Sequence, residues 1–230
     1  MNGRHDLPVN MFPDASLAQR TDDIDVVHVD AACIVVVKPG GLLAVPGRGE
    51  HLQDCVVTRL RVRFADALVV HRLDMSTSGL MVFARSLQVQ RHLSLAFAER
   101  AVRKRYVAVV HGRVVNASGE IDLPLGADWP NRPKQKVDVT AGKPSLTRYR
   151  TTGFDAVHDT TRLVLEPVTG RTHQLRVHLL ALGHPIVGDA LYAPPESQVP
   201  SGRLLLHAWH LCFDHPVSGE PISFESPAPF

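Results

Sequence analysis

The 230-residue sequence has no apolar run long enough to cross a membrane. Its longest uninterrupted apolar segment is Ala31–Val37, whereas a transmembrane helix needs about 20 such residues. The N-terminal residues also lack the basic start, the apolar stretch and the small-residue cleavage site of a secretory signal. We therefore expect a cytoplasmic protein with no membrane partner, whose residues 1–23 form a poorly ordered arm.

Cysteine is scarce, and the motifs of common cofactor sites are missing. Cys33, Cys55 and Cys212 are an odd number at wide spacing, which favours buried thiols in a reducing compartment over a disulfide framework. The sequence has no phosphate-binding or dinucleotide-binding glycine loop, no His-Glu-x-x-His zinc motif and no Gly-x-Ser-x-Gly elbow. We therefore expect no cofactor and no bound metal.

An excess of charge of either sign is also absent. Lys and Arg number 25 against 23 Asp and Glu, a net charge of +2, so the total does not by itself predict a nucleic-acid partner. The distribution is uneven, because residues 103–113 contain four bases and no acid, and residues 132–150 contain six bases and one acid. The pattern alone is compatible with solvated strand faces or with an anionic partner.

Short β-branched runs separated by turn residues make up much of the chain. A hairpin is predicted over Asp25–Lys38, and helices over His51–Phe64, from a Ser86 cap to about Arg100, and from a Thr172 cap to Gly183. Further strands are predicted at 67–70, 80–84, 105–111, 119–123, 146–151, 162–166, 204–213 and 222–225. Because helices and strands do not alternate regularly, we expect an α+β fold with a largely antiparallel mixed sheet, in one domain over residues 24–230.

Two polar segments are candidate sites. The predicted loop His71–Gly79 places a cation, a carboxylate and hydroxyls between two apolar strands, where a rigid sheet can present a catalytic group. Asp74 there is also compatible with an Asx turn, the commoner role for a loop aspartate. Arg171 precedes a helix, where a guanidinium and free amides can bind an anion, although it could equally form a surface ion pair.

Three ordered motifs resemble one family. Segment 71–79 (HRLDMSTSG) resembles the signature motif of the RluA family of RNA pseudouridine synthases. Segment 105–108 (RYVA) is similar to the tyrosine motif of that family, and segment 170–178 (GRTHQLRVH) to its third conserved motif. Segments 41–48 and 128–137 narrow the resemblance to the branch that modifies a uridine in 23S rRNA and one in the tRNA anticodon loop. The likeness runs from about Asp25 to the C-terminus.

The resemblance implies an isomerase that needs no cofactor and acts as a monomer without a separate S4-like RNA-binding domain. Asp74 would be the nucleophile, Tyr106 would contact the uracil and remove its C5 proton, and Arg171 would supply a cation beside Asp74. Arg72 would fill the space that a flipped base vacates. The expected phosphate contacts of the basic segment are Arg132, Lys134, Lys136, Lys143, Arg148 and Arg150.

Two alternatives remain open at this point. A non-catalytic RNA-binding module could keep the same architecture. A glycoside or nucleoside hydrolase using Asp74 would need a second carboxylate, for which Glu166 is the nearby motif candidate.

Overall fold

The computed structural model describes residues 24–194 and 202–230, so the predicted N-terminal arm lies outside the described residues. The described strands are β1 (Asp25–Val29), β2 (Cys33–Lys38), β3 (Leu68–Val69), β4 (Ser78–Ala84), β5 (Arg103–His111), β6 (Ser118–Asp122), β7 (Leu125–Ala127), β8 (Gln135–Val137), β9 (Leu146–Asp155), β10 (Thr160–Pro167), β11 (Leu206–Asp214) and β12 (Pro221–Glu225). The helices are α1 (Val56–Arg63), α2 (Leu87–Ala98) and α3 (Gln174–Ala181). The longest of these helices has 12 residues, and none in the described chain is long and apolar enough to cross a membrane.

One large mixed sheet organises the fold. Its strands follow the order β1-β2-β4-β11-β5-β10-β9-β6, with β3 beside β4 and β12 beside β11, while β7 and β8 form a separate hairpin. All strand pairs are antiparallel except β4 with β11, where His207 pairs with Ser78 and Ala208 with Gly79. The predicted α+β class with a largely antiparallel sheet is confirmed.

Strands β2 and β4 are buried on both faces, which explains their continuous apolar runs. Ile34 and Phe83 face a core under α1, whereas their neighbours Val35 and Val82 face a second core under α2. A third core lies under α3, against β5 and β10. Each such fully buried side chain contributes about 1.5–3 kcal/mol through loss of contact with water.

Strand β4 begins earlier than the sequence predicts. Ser78 and Gly79 belong to the strand and not to the preceding loop, because the parallel pairing with β11 extends it by two residues. Gly79 adopts a positive φ of 118°, and a Cβ at this position would overlap the backbone of Ala208. Only glycine therefore allows the two strands to approach this closely.

Two helix starts also differ from the prediction. The N-cap of α3 is His173 and not Thr172, and His173 adopts a left-handed φ of 54° with no side-chain capping bond. The side chain of Gln174 instead holds the segment before the helix, since its Oε1 accepts from the Arg171 amide and from the Thr169 hydroxyl. Helix α1 begins after Cys55, whose amide donates to the hydroxyl of Thr58.

Candidate active site

The loop between β3 and β4 presents Asp74 from a fixed backbone. The Thr77 amide donates to the Asp74 carbonyl over 3.1 Å, which closes a turn around the carboxylate. Leu73 is buried in the core under α1 and anchors the loop from the other side. The Met75 carbonyl accepts from the Gly41 amide at 2.9 Å and from Lys38 Nζ at 2.8 Å, so the residue after Asp74 is also held.

Lys38 is a fully buried cation behind this loop. Its Nζ donates to the carbonyl oxygens of Pro39, Leu42 and Met75, at 2.7, 2.7 and 2.8 Å. Burial lowers the pKa of Lys38 to about 7, and the negative charge of Asp74 opposes that shift. The three bonds satisfy all three ammonium donors, so Lys38 fixes the backbone around Asp74.

Arg176 lies beside the carboxylate, on the buried face of α3. Its guanidinium donates to Asp189 through Nε at 2.8 Å and Nη2 at 2.6 Å, and its Nη1 lies 3.8 Å from Asp74 Oδ2. Asp189 Oδ1 also accepts from the amides of Leu191 and Tyr192. A bidentate pair of this kind orients the remaining guanidinium nitrogen towards Asp74.

His173 occupies the other side of Asp74, with Nε2 at 3.9 Å from Oδ1. The hydroxyl of Tyr192 accepts from the Gln135 amide at 2.8 Å and lies 2.7 Å from His173 Nδ1. This hydroxyl anchors the imidazole ring through Nδ1, and Nε2 faces Asp74. Burial lowers the pKa of His173, so the ring is neutral at pH 7.

Asp74 opens into a cavity of about 460 Å³ between the 71–77 loop and the segment leading into α3. The cavity is lined by five basic side chains: Arg72, Arg100, Lys104, Arg171 and Arg176. Asp74 is the only carboxylate in its lining among the described residues. The rings of Tyr106 and Phe97 add an apolar wall. A cavity with aromatic walls and excess positive charge suits a planar base attached to a phosphate backbone.

Tyr106 reaches this cavity from β5, the strand beside β11. Burial and the negative charge of Asp74 both raise the pKa of its phenol. The hydroxyl is therefore protonated at neutral pH in the free protein.

The structure brings Asp74, Tyr106, Arg171 and Arg72 to one cavity, but it separates Arg171 from Asp74. Arg171 is exposed, its Nε donates to the Pro144 carbonyl at 3.3 Å, and the guanidinium beside the carboxylate is that of Arg176. No local pattern singles out Arg176, because the consecutive residues 174–179 of α3 are all buried. Lys38 gave no signal either.

The predicted phosphate contacts lie outside the cavity, around the β7–β8 hairpin. Lys134 and Lys136 are on or next to β8, and Lys143 pairs through its backbone with Leu125 of β7. The guanidinium of Arg132 stacks 3.6 Å from the ring centroid of Trp129, and both side chains are exposed.

Comparisons with known proteins agree with this geometry. The family model for RNA pseudouridylate synthase matches residues 32–181. The chain is 51% identical over 205 residues to a protein of Escherichia coli O6:H1 named dual-specificity RNA pseudouridine synthase RluA, an overlap of 89% of this chain and 93% of the relative. A protein of the same name from Pasteurella multocida is 47% identical over 207 residues, or 90% of this chain and 94% of the relative.

The fold is shared with solved structures. Human RNA pseudouridylate synthase domain containing 1 superposes with a TM-score of 0.77 at 29% identity, over 91% of this chain and 85% of that one. Human RNA pseudouridylate synthase domain containing 4 has a TM-score of 0.70 at 23% identity, over 89% of this chain and 88% of that one, and supports the fold alone.

Proposed function

The chain belongs to the RNA pseudouridylate synthase family, and from this premise we propose that it isomerises loop uridines to pseudouridine in 23S rRNA and in the tRNA anticodon loop. The relatives named dual-specificity synthases support two classes of RNA substrate. The observation that carries the proposal is a single carboxylate, Asp74, facing a cation-lined cavity with Arg176 at 3.8 Å.

Asp74 acts as an ionised carboxylate at the ribose. It either attacks C1′ directly, forming an ester that uracil C5 later displaces, or removes the C2′ proton to form a glycal and returns that proton when C5 bonds to C1′. In both routes the C1′–N1 bond breaks and the uracil leaves with the bonding electrons. The uracil turns, its C5 bonds to C1′, the C5 proton is removed and N1 gains a proton, so atoms balance without a cofactor. The positive charge of Arg176, whose Nη1 lies 3.8 Å from Oδ2, stabilises the carboxylate before this step.

Tyr106 begins the reaction as a hydrogen-bond donor to the departing uracil anion, because its phenol is protonated. The negative charge of Asp74 helps to raise the pKa of Tyr106. Once Asp74 has become a neutral ester, that contribution disappears and the phenol becomes more acidic. Tyr106 is then better suited to take part in transfer of the C5 proton.

RNA binding uses the side chains around the cavity mouth and the β7–β8 hairpin. Arg72 is exposed at the mouth, in reach of the gap that a flipped base leaves. Arg132 and Trp129 form an exposed stacked pair on which an unpaired base can stack. Lys134, Lys136 and Lys143 contact RNA phosphates, and the positive charge of Arg171 attracts the RNA backbone beside the cavity.

The geometry argues against a two-carboxylate hydrolase. Glu166 is not in the cavity lining, and its carboxylate lies 3.8 Å from Arg105 Nε. Glycosidases of the usual type need two carboxylates flanking one bond. The buried Arg176–Asp189 pair beside Asp74 likewise favours catalysis over a purely binding module, which has no use for an aligned carboxylate.

Tritium release from RNA labelled at uracil C5 tests the proposal. Wild-type protein and Asp74→Asn are compared on a tRNA anticodon stem-loop and on a 23S rRNA fragment. Release by the wild type from both RNAs, with none from Asp74→Asn that still binds RNA, is the expected result. Release of free uracil would identify a hydrolase, and absence of release by a folded, RNA-binding wild type would leave the non-catalytic module.

The protein works as a monomer in the cytoplasm, where both RNA classes occur. Its three cysteines are unpaired and buried, in keeping with a reducing compartment. Light scattering at working concentration, with and without the stem-loop, measures the mass directly.

A further inference from the structure

Outside the catalytic cavity, three donors converge on one carboxylate oxygen. Asp30 Oδ2 lies 2.7 Å from His28 Nε2, 3.1 Å from His215 Nε2 and 3.9 Å from Cys33 Sγ. The other oxygen, Oδ1, accepts from the amides of Ala32 and Cys33, both at 2.7 Å. The carboxylate is therefore held in a fixed orientation at the turn between β1 and β2.

We propose that His28 Nε2, Asp30 Oδ2 and Cys33 Sγ bind a divalent ion of the Zn²⁺ class. These three ligand atoms all lie within 4.8 Å of one another. Tetrahedral metal–ligand bonds of about 2.0–2.3 Å place the ligand atoms roughly 3.3–3.8 Å apart. His28 Nε2, at 2.7 Å from Asp30 Oδ2, must therefore move slightly away, whereas Cys33 Sγ, at 3.9 Å, is already close to the required distance. Nitrogen, oxygen and sulfur together are the donors that Zn²⁺ and Co²⁺ accept.

His215 supports the site from the turn that follows β11. Its Nδ1 accepts from the Ser218 amide at 3.1 Å, so its proton is on Nε2 and points at Asp30. A second residue that orients a ligating carboxylate in this way is typical of metal sites. His28 and Asp30 are each about one-third exposed, with side-chain values of 32% and 31%, and give the ion a path from solvent. Water completes the coordination, and the thiol proton leaves to solvent.

Titration of the full chain with Co²⁺ tests the site. The expected result is one ion bound, with a thiolate-to-cobalt charge-transfer band and the intense visible bands of a tetrahedral ion, both bleached by Zn²⁺. Cys33→Ser is expected to lose the charge-transfer band, and the matched variant Cys55→Ser, another buried thiol, to keep it. His215→Ala is expected to weaken binding about 10–100-fold.

Absence of a thiolate band in the wild type at saturating Co²⁺ would overturn the proposal, as would a band that persists in Cys33→Ser. If Cys33→Ser does not fold, His28→Ala replaces it, because the His28 side chain is partly exposed. Loss of this ligand must lower the affinity for the ion at least as much as loss of His215 does.

A second, independent observation concerns Thr77. Thr77 is one of the residues that line the cavity beside Asp74, and it is 3% exposed. Its Oγ1 is buried and has no hydrogen-bond partner in residues 24–194 and 202–230. A buried hydroxyl without a partner is destabilising, and native proteins contain few of them. The cavity itself is where a partner would come from.

Resting on the proposed function, we infer that the Thr77 hydroxyl hydrogen-bonds the flipped nucleotide, through a uracil or ribose oxygen. Thr77→Val is expected to lower kcat/KM for tritium release about 3–10-fold, the value of one hydrogen bond, without lowering Tm. Thr77→Ser, which keeps the hydroxyl, is expected to retain activity.

Unchanged kcat/KM in Thr77→Val, or a fall in Tm in that variant, would overturn the inference. Failure of the wild type to release tritium would instead overturn the proposed function, so the two failures are distinguishable.

Discussion

The buried pair between Arg176 and Asp189 makes Asp189→Asn the most informative single change. Arg176 is 3% exposed and Asp189 1% exposed, and two charge-assisted bonds of 2.8 and 2.6 Å join them. Asparagine keeps the shape of the side chain but removes its charge. The guanidinium would then remain buried with Asp74 as its nearest described anion, at 3.8 Å.

Removing one partner of a buried ion pair costs about 3–5 kcal/mol, because the other charge is left uncompensated. Asparagine still offers one acceptor oxygen, so we expect a loss of about 3 kcal/mol in the free energy of unfolding. For a chain of this size that loss lowers Tm by roughly 6–12 °C. The freed guanidinium also shifts towards Asp74, so tritium release should fall beyond what the loss of folded protein explains.

Urea denaturation and tritium release below the transition measure the two effects separately. Asp214→Asn, at the exposed end of β11, is the matched control and should change neither. The double variant Arg176→Met with Asp189→Asn removes the uncompensated charge and keeps an acceptor for the Leu191 and Tyr192 amides. It should therefore recover part of the stability while remaining inactive. A loss below about 1 kcal/mol in Asp189→Asn would refute the argument that the pair is a rigid, desolvated support for Asp74.

Four further outcomes are expected. Gly79→Ala should cost at least about 3 kcal/mol and abolish most folded protein, because the added Cβ meets the backbone of β11, and circular dichroism measures this. Burial lowers the pKa of His207 to about 4. Between pH 6.5 and 4, only the unfolded chain therefore binds this proton. The free energy of unfolding should decrease as the pH is lowered through this range, by up to about 1.4 kcal/mol per pH unit. Urea titration should show a shallower decrease in His207→Gln. Arg72→Ala should reduce turnover of a folded stem-loop far more than of an RNA with an already extruded base, and equal losses would contradict its role in filling the gap. Charge reversal at Lys134 and Lys136 should flatten the dependence of RNA affinity on salt, and an unchanged slope would show that they do not contact phosphates.

Local sequence patterns predicted the fold class and the strands of the large sheet, because burial on two faces produces continuous apolar runs. They missed the short hairpin of β7 and β8, whose strands have only three residues each. The β1–β2 hairpin, the α2 cap at Ser86 and the end of α3 before Gly183 lie where their residue types place them. The predicted start of α3 was wrong, because His173 adopts a left-handed conformation before the first helical residue and contacts the Tyr192 hydroxyl.

The candidate site was predicted in part. Asp74 and Tyr106 line one cavity, and the resemblance of their motifs to those of the family, not their spacing in the chain, predicted that both belong to the site. The partners of Asp74 are set by burial: Arg176 is aimed by Asp189, and Lys38 by three backbone carbonyls, none of which leaves a local pattern. The catalytic role of Arg171 remains a prediction. Its side chain is exposed and lines the cavity.

The central position of β11 sets the order in which this protein can mature on the ribosome. Ser78 and His207, joined by a 2.8 Å hydrogen bond across the parallel pair, are 129 residues apart. A nascent chain holding β1 to β10 would have β4 and β5 facing a missing neighbour, with the segment behind Asp74 unsupported. Contacts of such long sequence separation form late and slowly. The sheet behind Asp74 is therefore completed only after the eleventh strand has been synthesised.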